Sequence, residues 1–297
     1  MSRRGLALFG VMCVIWGIPY LLIRVAVREL TPAFLVFART GFAALLLLPL
    51  AARRGELRVL LPRWRSLVLF AIAEIAVPWL LLSRAELRLT SSLTGLLVAA
   101  VPLVGAVVTA AAGSADRLDG RSWLGLLVGI FGVAALVGLD FGRVGVVPLL
   151  EVCVVVVGYA TGPMILSRRL SGLPSLGIVA ASLTLTAVAY APVAAVQVPA
   201  HVRLDVILSV AGLAVICTAL AFLLFFDLIA EVGPVRATVI TYVNPAVAAV
   251  LGVTALGERF TPGMGLGFAL VLGGSVLATR RSTPRDPAAP VVEAAPG

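Results

Sequence analysis

Ten apolar runs set the terms for everything else in this chain. They lie at about 6–27, 33–52, 66–83, 92–112, 123–139, 144–166, 175–197, 206–226, 234–256 and 263–279, each bounded by charge, glycine or proline. A membrane-crossing helix needs about 20 apolar residues, so each run is long enough to span a bilayer. The connections between them are too short for a water-soluble domain. Composition agrees: 61% of the 297 residues are hydrophobic and 12% charged, against roughly 45–50% and about 25% in soluble domains. The expected fold is an all-α integral membrane protein with ten transmembrane helices. The first run follows Ser2-Arg3-Arg4, but its length and the lack of a small-x-small cleavage site favour a retained helix over a cleaved signal. Residues 280–297, rich in Pro and Ala, read as a disordered cytoplasmic tail.

The charge pattern orients the bundle. All 23 basic residues are Arg, and the net charge is +9. The arginines sit in ones and twos between apolar runs, which excludes a nucleic-acid-binding face and makes them helix-end anchors. One side of the ten runs holds 15 of them (Arg3, Arg4, Arg53, Arg54, Arg58, Arg63, Arg65, Arg117, Arg121, Arg168, Arg169, Arg236, Arg280, Arg281, Arg285). The other holds 7 (Arg24, Arg28, Arg84, Arg88, Arg143, Arg203, Arg259), with Arg39 inside a run. The richer side is expected to be cytoplasmic, which puts both termini inside.

An internal repeat decides the architecture. Pro19 and Pro163 are 144 residues apart, Pro49 and Pro192 143, Pro102 and Pro245 143, and Asp116-Arg117 and Glu258-Arg259 142, as are Gly125/Gly267 and Gly132/Gly274. This colinear set divides the chain into five-helix repeats at 6–139 and 144–279. Five is odd, so the second repeat enters the membrane inverted. Inverted repeats are a hallmark of secondary transporters, whose site lies at the repeat interface.

With these residues in view, the sequence resembles the EamA-type permeases of the drug/metabolite transporter superfamily over about residues 6–280. The resemblance rests on Trp16-Gly17, Pro102 and Gly125/Gly129/Gly132 in the first half. In the second it rests on Pro245, Gly257-Glu258-Arg259 and Gly267/Gly274, with Gly233-Pro234 to Gly274 most typical. The chain departs from that pattern at Ala115-Asp116-Arg117, where a Gly-Glu-Arg would stand, and at Gly158-Tyr159, near the expected Trp. The resemblance implies a ten-helix permease that moves small organic metabolites, more often outward, by alternating access through a cavity lined mainly by helices 1, 3, 4, 6, 8 and 9. It does not imply a particular substrate.

The residues themselves supply candidate sites. Pro19, Pro78, Pro102, Pro163 and Pro245 fall within runs, where they free backbone carbonyls and bend helices. Helix 9 carries Thr238, Thr241, Tyr242 and Pro245 at i, i+3, i+4 and i+7, one face with two hydroxyls, a phenol and a kink. Asn244 sits beside that kink. Trp16, Pro19 and Tyr20 in helix 1 and Tyr159, Gly162 and Pro163 in helix 6 repeat the pattern, and an aromatic with a polar tip suits both an apolar ligand body and its polar group. Trp16, Tyr20, Glu74, Tyr159, Thr241, Tyr242 and Asn244 are therefore the candidate substrate-binding residues, with Tyr20, Tyr159 and Tyr242 expected around one cavity. Ser182, Thr186 and Tyr190 in helix 7 read as interhelical hydrogen-bonding groups.

Glu74 and Arg39 are the two ionisable residues well within spans, where a charge costs at least about 2.5–3.5 kcal/mol unless paired or hydrated. Helical rise places them about 9 Å apart in depth in a core near 30 Å thick. They are expected to form an ion pair between helices 2 and 3, or to act in coupling, with Glu74 binding a cationic substrate group or exchanging a proton.

Chemistry by an intramembrane enzyme finds no support. There is no HExxH or GxSxG, Cys13, Cys153 and Cys217 are scattered in apolar runs, and His201 is the only histidine. No metal or cofactor is expected, and Gly263-Met-Gly265-Leu-Gly267 lacks the strand and spacing of a dinucleotide loop. The partners expected are the bilayer of a bacterial cytoplasmic membrane, a small-molecule substrate and, as a coupling ion, protons. The oligomeric state is left open, a monomer being compatible. Uptake by the same fold is the alternative direction, and a non-transporting structural membrane protein is the remote rival.

Overall fold

The structure, a computed structural model, describes residues 2–111, 119–138, 145–233, 237 and 239–279. Ala115-Asp116-Arg117, Arg143, Pro234, Arg236, Thr238 and the tail from Arg280 lie outside these residues. The described chain forms α1 (Arg3–Ala26), α2 (Pro32–Arg53), α3 (Arg58–Ala85), α4 (Ser91–Ala111), α5 (Gly120–Val137), α6 (Val146–Arg169), α7 (Ser175–Ala195), α8 (Leu204–Val232), α9 (Ile240–Leu256) and α10 (Pro262–Thr279), with no strand among the described residues. Nine have the length and hydropathy of a membrane span, and α9 is an apolar helix of 17 residues. Each coincides with one predicted run. Leu45, Phe131 and Val188 point away from the bundle with about two thirds of their surface bare, the orientation a lipid solvent rewards.

Helix ends follow the side chains that can satisfy free N–H groups. The hydroxyls of Ser2, Thr31, Thr90 and Thr261 and the carboxylate of Asp119 each accept from the N–H three residues on, at 2.9, 3.3, 3.2, 3.2 and 2.7 Å. Pro32 and Pro262 take first-turn positions that need no N–H. Within the spans, hydroxyls turn to their own helix: Thr40 donates to Val36, Ser83 to Trp79 and Thr186 to Ser182, at 2.7 to 2.9 Å.

The packing order carries the repeat. α5 packs on α10, α2 on α7, α4 on α9, α3 on α6 and α1 on α8. Exchanging each helix with the one five places on maps the first three pairs onto themselves and α3/α6 onto α8/α1. The self-mapping pairs run antiparallel. Gly125 lies against Gly274 and Ala278 while Gly132 lies against Gly267 and Val271. The end of α2 meets the start of α7 where Glu56 accepts from Gly177 N (2.7 Å), and its start meets the end of α7 where Thr31 donates to Gln197. The second repeat is inverted relative to the first.

Two polar ends follow. At one, Ser2 donates to Glu231, Arg4 faces Asp227 (3.7 Å) and Arg63 donates to the Arg169 carbonyl (2.8 Å). At the other, Arg84 pairs with Glu151 (2.7 Å) and Arg203 N–H donates to Glu29 (2.9 Å). The arginine alternation read from the sequence is reproduced as two ends of one bundle.

Candidate functional site

Two helices widen at equivalent positions. α3 is π-helical over Ala71–Ala76 and α8 over Gly212–Leu220, and a 143-residue offset superposes the two stretches. In α3 the cause is Pro78, which has no N–H to offer the carbonyl of Glu74. In α8 the hydroxyl of Thr218 bonds the carbonyl five residues back, Leu213, at 2.7 Å. α1 breaks at Trp16–Ile18 before Pro19, and α4 breaks at Ala99–Ala100 before Pro102. Pro163 and Pro245 lie inside helices that continue past them.

Between the widened turns sits a buried polar cluster. Arg39 of α2 is 6% exposed, its Nε donates to Thr218 Oγ1 of α8 at 2.9 Å, and its guanidinium stacks over the Trp79 ring of α3 at 3.6 Å. A desolvated cation over an indole face is worth about 2 kcal/mol or more. Tyr159 of α6 packs into the apolar cluster that holds Trp79 and lies within Coulombic reach of both Arg39 and Glu74. Tyr20 of α1, 7% exposed, is in reach of Tyr159 and Arg39. Five helices thus contribute to one cluster spanning both repeats.

Glu74 lies on the widened turn of α3, beside this cluster, and faces Gly162 of α6, where a Cβ would collide with its carboxylate. Gly158, one turn earlier, makes the same room for the Ala73 carbonyl and Pro78. Glu74 Oε2 is buried without a partner. The expected direct ion pair with Arg39 is not formed. The guanidinium is occupied by Thr218 and Trp79 instead, because the widened α8 turn brings a hydroxyl to it.

The remaining candidates separate. Trp16 is half-buried against Phe225 and Phe222, ring centroids 4.7 and 6.0 Å away. Asn244 is a tether: with its amide in the orientation its neighbours require, the nitrogen donates to Ile240 O (2.9 Å) and Cys13 O (3.1 Å). The Cys13 carbonyl is free for it because Gly17 N–H turns to Val14 (3.0 Å) at the α1 break. Gly17 is required there, since a Cβ would lie 2.5 Å from Val247. Thr241 is half-buried on the same helix. Tyr242 does not join Tyr20 and Tyr159, as its hydroxyl faces Thr279 at 3.4 Å, at the end of α10. Of the three helix 7 groups expected to bond between helices, Tyr190 does so, donating to the Ala76 carbonyl at 3.0 Å, whereas Thr186 bonds within its own helix and Ser182 Oγ is buried without a partner.

Three residues escaped the sequence reading. Trp79 follows one widened turn and Thr218 lies within the other, and a run of apolar residues gives no sign of a π turn. Glu86, the residue after α3, is wholly buried, yet in sequence it looks like any charge at a helix end. Gly257 and Glu258 follow the end of α9. Gly257 adopts φ +67°, and the Glu258 carboxylate reaches back to cap α4, accepting from Ser91 N and Ser92 N at 2.8 Å and Ser92 Oγ at 2.6 Å. A cavity of about 310 Å³ opens at the same end, between Thr31, Leu80, Arg84, Arg88, Glu151 and Gln197. Among the described residues no group of three His, Cys, Asp or Glu is placed to hold a metal.

Comparison with known proteins gives a consistent picture. The sequence profile of the EamA-like transporter family matches twice, over residues 3–138 and 148–280. The uncharacterized inner membrane transporter YedA of Escherichia coli K12 is 28% identical over 291 residues, covering 93% of this chain and 92% of that protein, and its counterpart in Escherichia coli O157:H7 gives the same figures. A solved crystal structure that is 22% identical covers 94% of this chain and 98% of its own at a TM-score of 0.67, a likeness of fold.

Proposed function

Since this chain belongs to the EamA-like transporter family and is a multi-pass membrane transporter, we propose that it moves a small organic metabolite or drug across the bacterial cytoplasmic membrane by alternating access, outward or in exchange. The observation that carries this reading is the Arg39–Trp79–Tyr159–Thr218 cluster with Glu74 beside it, polar and buried where the two repeats meet. A charge is retained at such depth at a cost, and the cluster offers a cation, two aromatic faces and a carboxylate without a partner. Glu74 is the group to bind a cationic moiety of the substrate, and Tyr20 and Tyr159 are its aromatic walls. The break in α1 at Trp16–Ile18, where the corresponding stretch of α6 is continuous, supports two exchangeable conformations. The richer arginine end, with both termini, faces the cytoplasm.

The test has two steps. Metabolites and drugs that raise the melting temperature of the purified protein are identified first. Flux of those compounds is then measured in proteoliposomes for the wild type and for Glu74→Gln, Arg39→Gln and Tyr159→Phe. The expected result is gradient-driven flux that falls in the variants while membrane abundance holds. Binding without flux in either direction would overturn the reading.

A further inference from the structure

Glu86, at the end of α3 that our topology puts outside, has no solvent-exposed surface, and neither carboxylate oxygen has a hydrogen-bond partner. The groups around it are few. From α1, Arg24 reaches it but gives its Nη1 to the main-chain carbonyl of Glu86 rather than to the carboxylate. From the turn after α9, Glu258 lies in Coulombic range, already committed to Ser91 and Ser92. Tyr20 of α1 faces it from the membrane side. On α6, Glu151 is held by Arg84, and on α2 Arg39 lies on Trp79. The hydroxyl of Ser91, the N-terminal residue of α4, is likewise buried without a partner.

An ionised carboxylate cannot persist in such a place without donors. Burial pushes the Glu86 carboxyl well above the usual carboxylate range; Arg24 works against that shift and Glu258 adds to it. Arg24, bonded to the main-chain carbonyl of the same residue, is already within Coulombic range of the carboxylate. Arg24 also lines a cavity of about 250 Å³ with Val27, Arg28 and Leu87, so water stands one side chain away from the buried acid.

We propose that Glu86 is a proton-binding site of the transport cycle, which keeps this end of the bundle closed while protonated and takes Arg24 as its ion-pair partner when it ionises and the end opens. The proton passes from the carboxyl group to water at that face, and no other bond changes. The proposal rests on the transporter reading, because only a transporter requires this end to open. The sign follows from linkage. The closed state holds the proton more tightly, so opening is indifferent to pH below the ordinary Glu range near 4.3 and becomes more favourable as pH rises from there to the raised closed-state value.

The test uses the full chain in proteoliposomes with Cys153→Ser. A cysteine at Val27, lining the cavity, is labelled with a membrane-impermeant maleimide, and its rate is divided by that of a cysteine at exposed Val198 to cancel the pH dependence of the thiol. One coupled proton raises this ratio by up to about tenfold per pH unit within the window. Glu86→Gln is expected to give a flat, low ratio, and Arg24→Gln a rise displaced to higher pH. The infrared band of a protonated carboxyl at neutral pH is expected to lose intensity in Glu86→Gln beyond any loss in Glu74→Gln. A flat wild-type ratio, or a wild-type band unchanged by Glu86→Gln, overturns the proton site. If Glu86→Gln does not fold, the wild-type and Arg24→Gln profiles still decide. Flux with a flat ratio refutes this proposal and leaves the transporter reading intact, whereas a pH-dependent ratio without flux overturns the transporter reading and reduces Glu86 to a proton-linked opening outside any transport cycle.

Discussion

Gly273 and Gly274 are neighbours in α10, and replacing each by alanine should move stability in opposite directions. A Cβ at Gly274 would stand 2.5 Å from Gly125 O, 2.6 Å from Gly129 N and 2.9 Å from Gly129 Cα. All three are backbone atoms of α5, so no rotamer change relieves the contact and the helices must separate. Overpacking of this kind costs about 1–3 kcal/mol. The loss is larger if the antiparallel seam of Gly125, Gly129, Gly132, Gly267 and Gly274 opens along its length. At Gly273 nothing lies within 4 Å, and alanine gains about 0.5–1 kcal/mol through its helix preference. The two variants should therefore differ by about 1.5–4 kcal/mol, read as midpoints of reversible unfolding in mixed micelles. Equal effects of the same sign would show that α5 and α10 are not seated glycine to glycine, and the antiparallel argument for inversion would lose its best support.

Three further outcomes follow from single contacts. Glu258→Ala strips two N–H bonds and a hydroxyl bond from the start of α4 and should cost about 1–3 kcal/mol, with Glu258→Gln milder; an unchanged melting temperature for the alanine variant would contradict the cap. Arg39→Lys loses both the planar stack on Trp79 and the Nε bond to Thr218 and should destabilise more than Trp79→Phe, which keeps an aromatic face, by thermal melting. Reporter fusions after Arg54 and Arg169 should report cytoplasm, and those after Arg28, Arg88 and Arg203 the opposite face; a fusion at the C-terminus reporting the periplasm would reverse the orientation.

The helices and their inverted pairing were legible because a bilayer imposes coarse rules: a length, a polarity and an alternation of arginines. The ends were legible too, since Thr31-Pro32 and Thr261-Pro262 satisfy backbone groups locally. Conformation at the prolines was not. Pro78 and Pro163 look alike in sequence, yet one adjoins a widened turn and the other sits in an unbroken helix. The partners of Arg39 were not legible either. Depth along the membrane says how far apart two charges are, but not that Thr218 and Trp79 reach the guanidinium first.

The repeats agree in geometry and differ in chemistry, and the difference falls at the site. An offset of 143 residues relates Trp16 to Tyr159 and Phe222 to Trp79, so one interhelical contact is built twice. Between α1 and α8 it is an aromatic edge contact, with centroids 6.0 Å apart, and between α3 and α6 an indole and a phenol pack in one apolar cluster. The same offset relates Arg39 to Ser182 and Glu74 to Cys217, so the site's charge belongs to the first repeat. The first repeat is also the one broken in α1, while the corresponding stretch of α6 runs continuously despite Pro163. Both halves carry residues able to break a helix, so the conformational difference reflects the state adopted rather than what each sequence permits. If the halves exchange these conformations, the packing before and after is nearly equivalent by symmetry. The buried charges are not equivalent, and the polar cluster is then the part of the protein whose free energy a substrate or a proton can tilt.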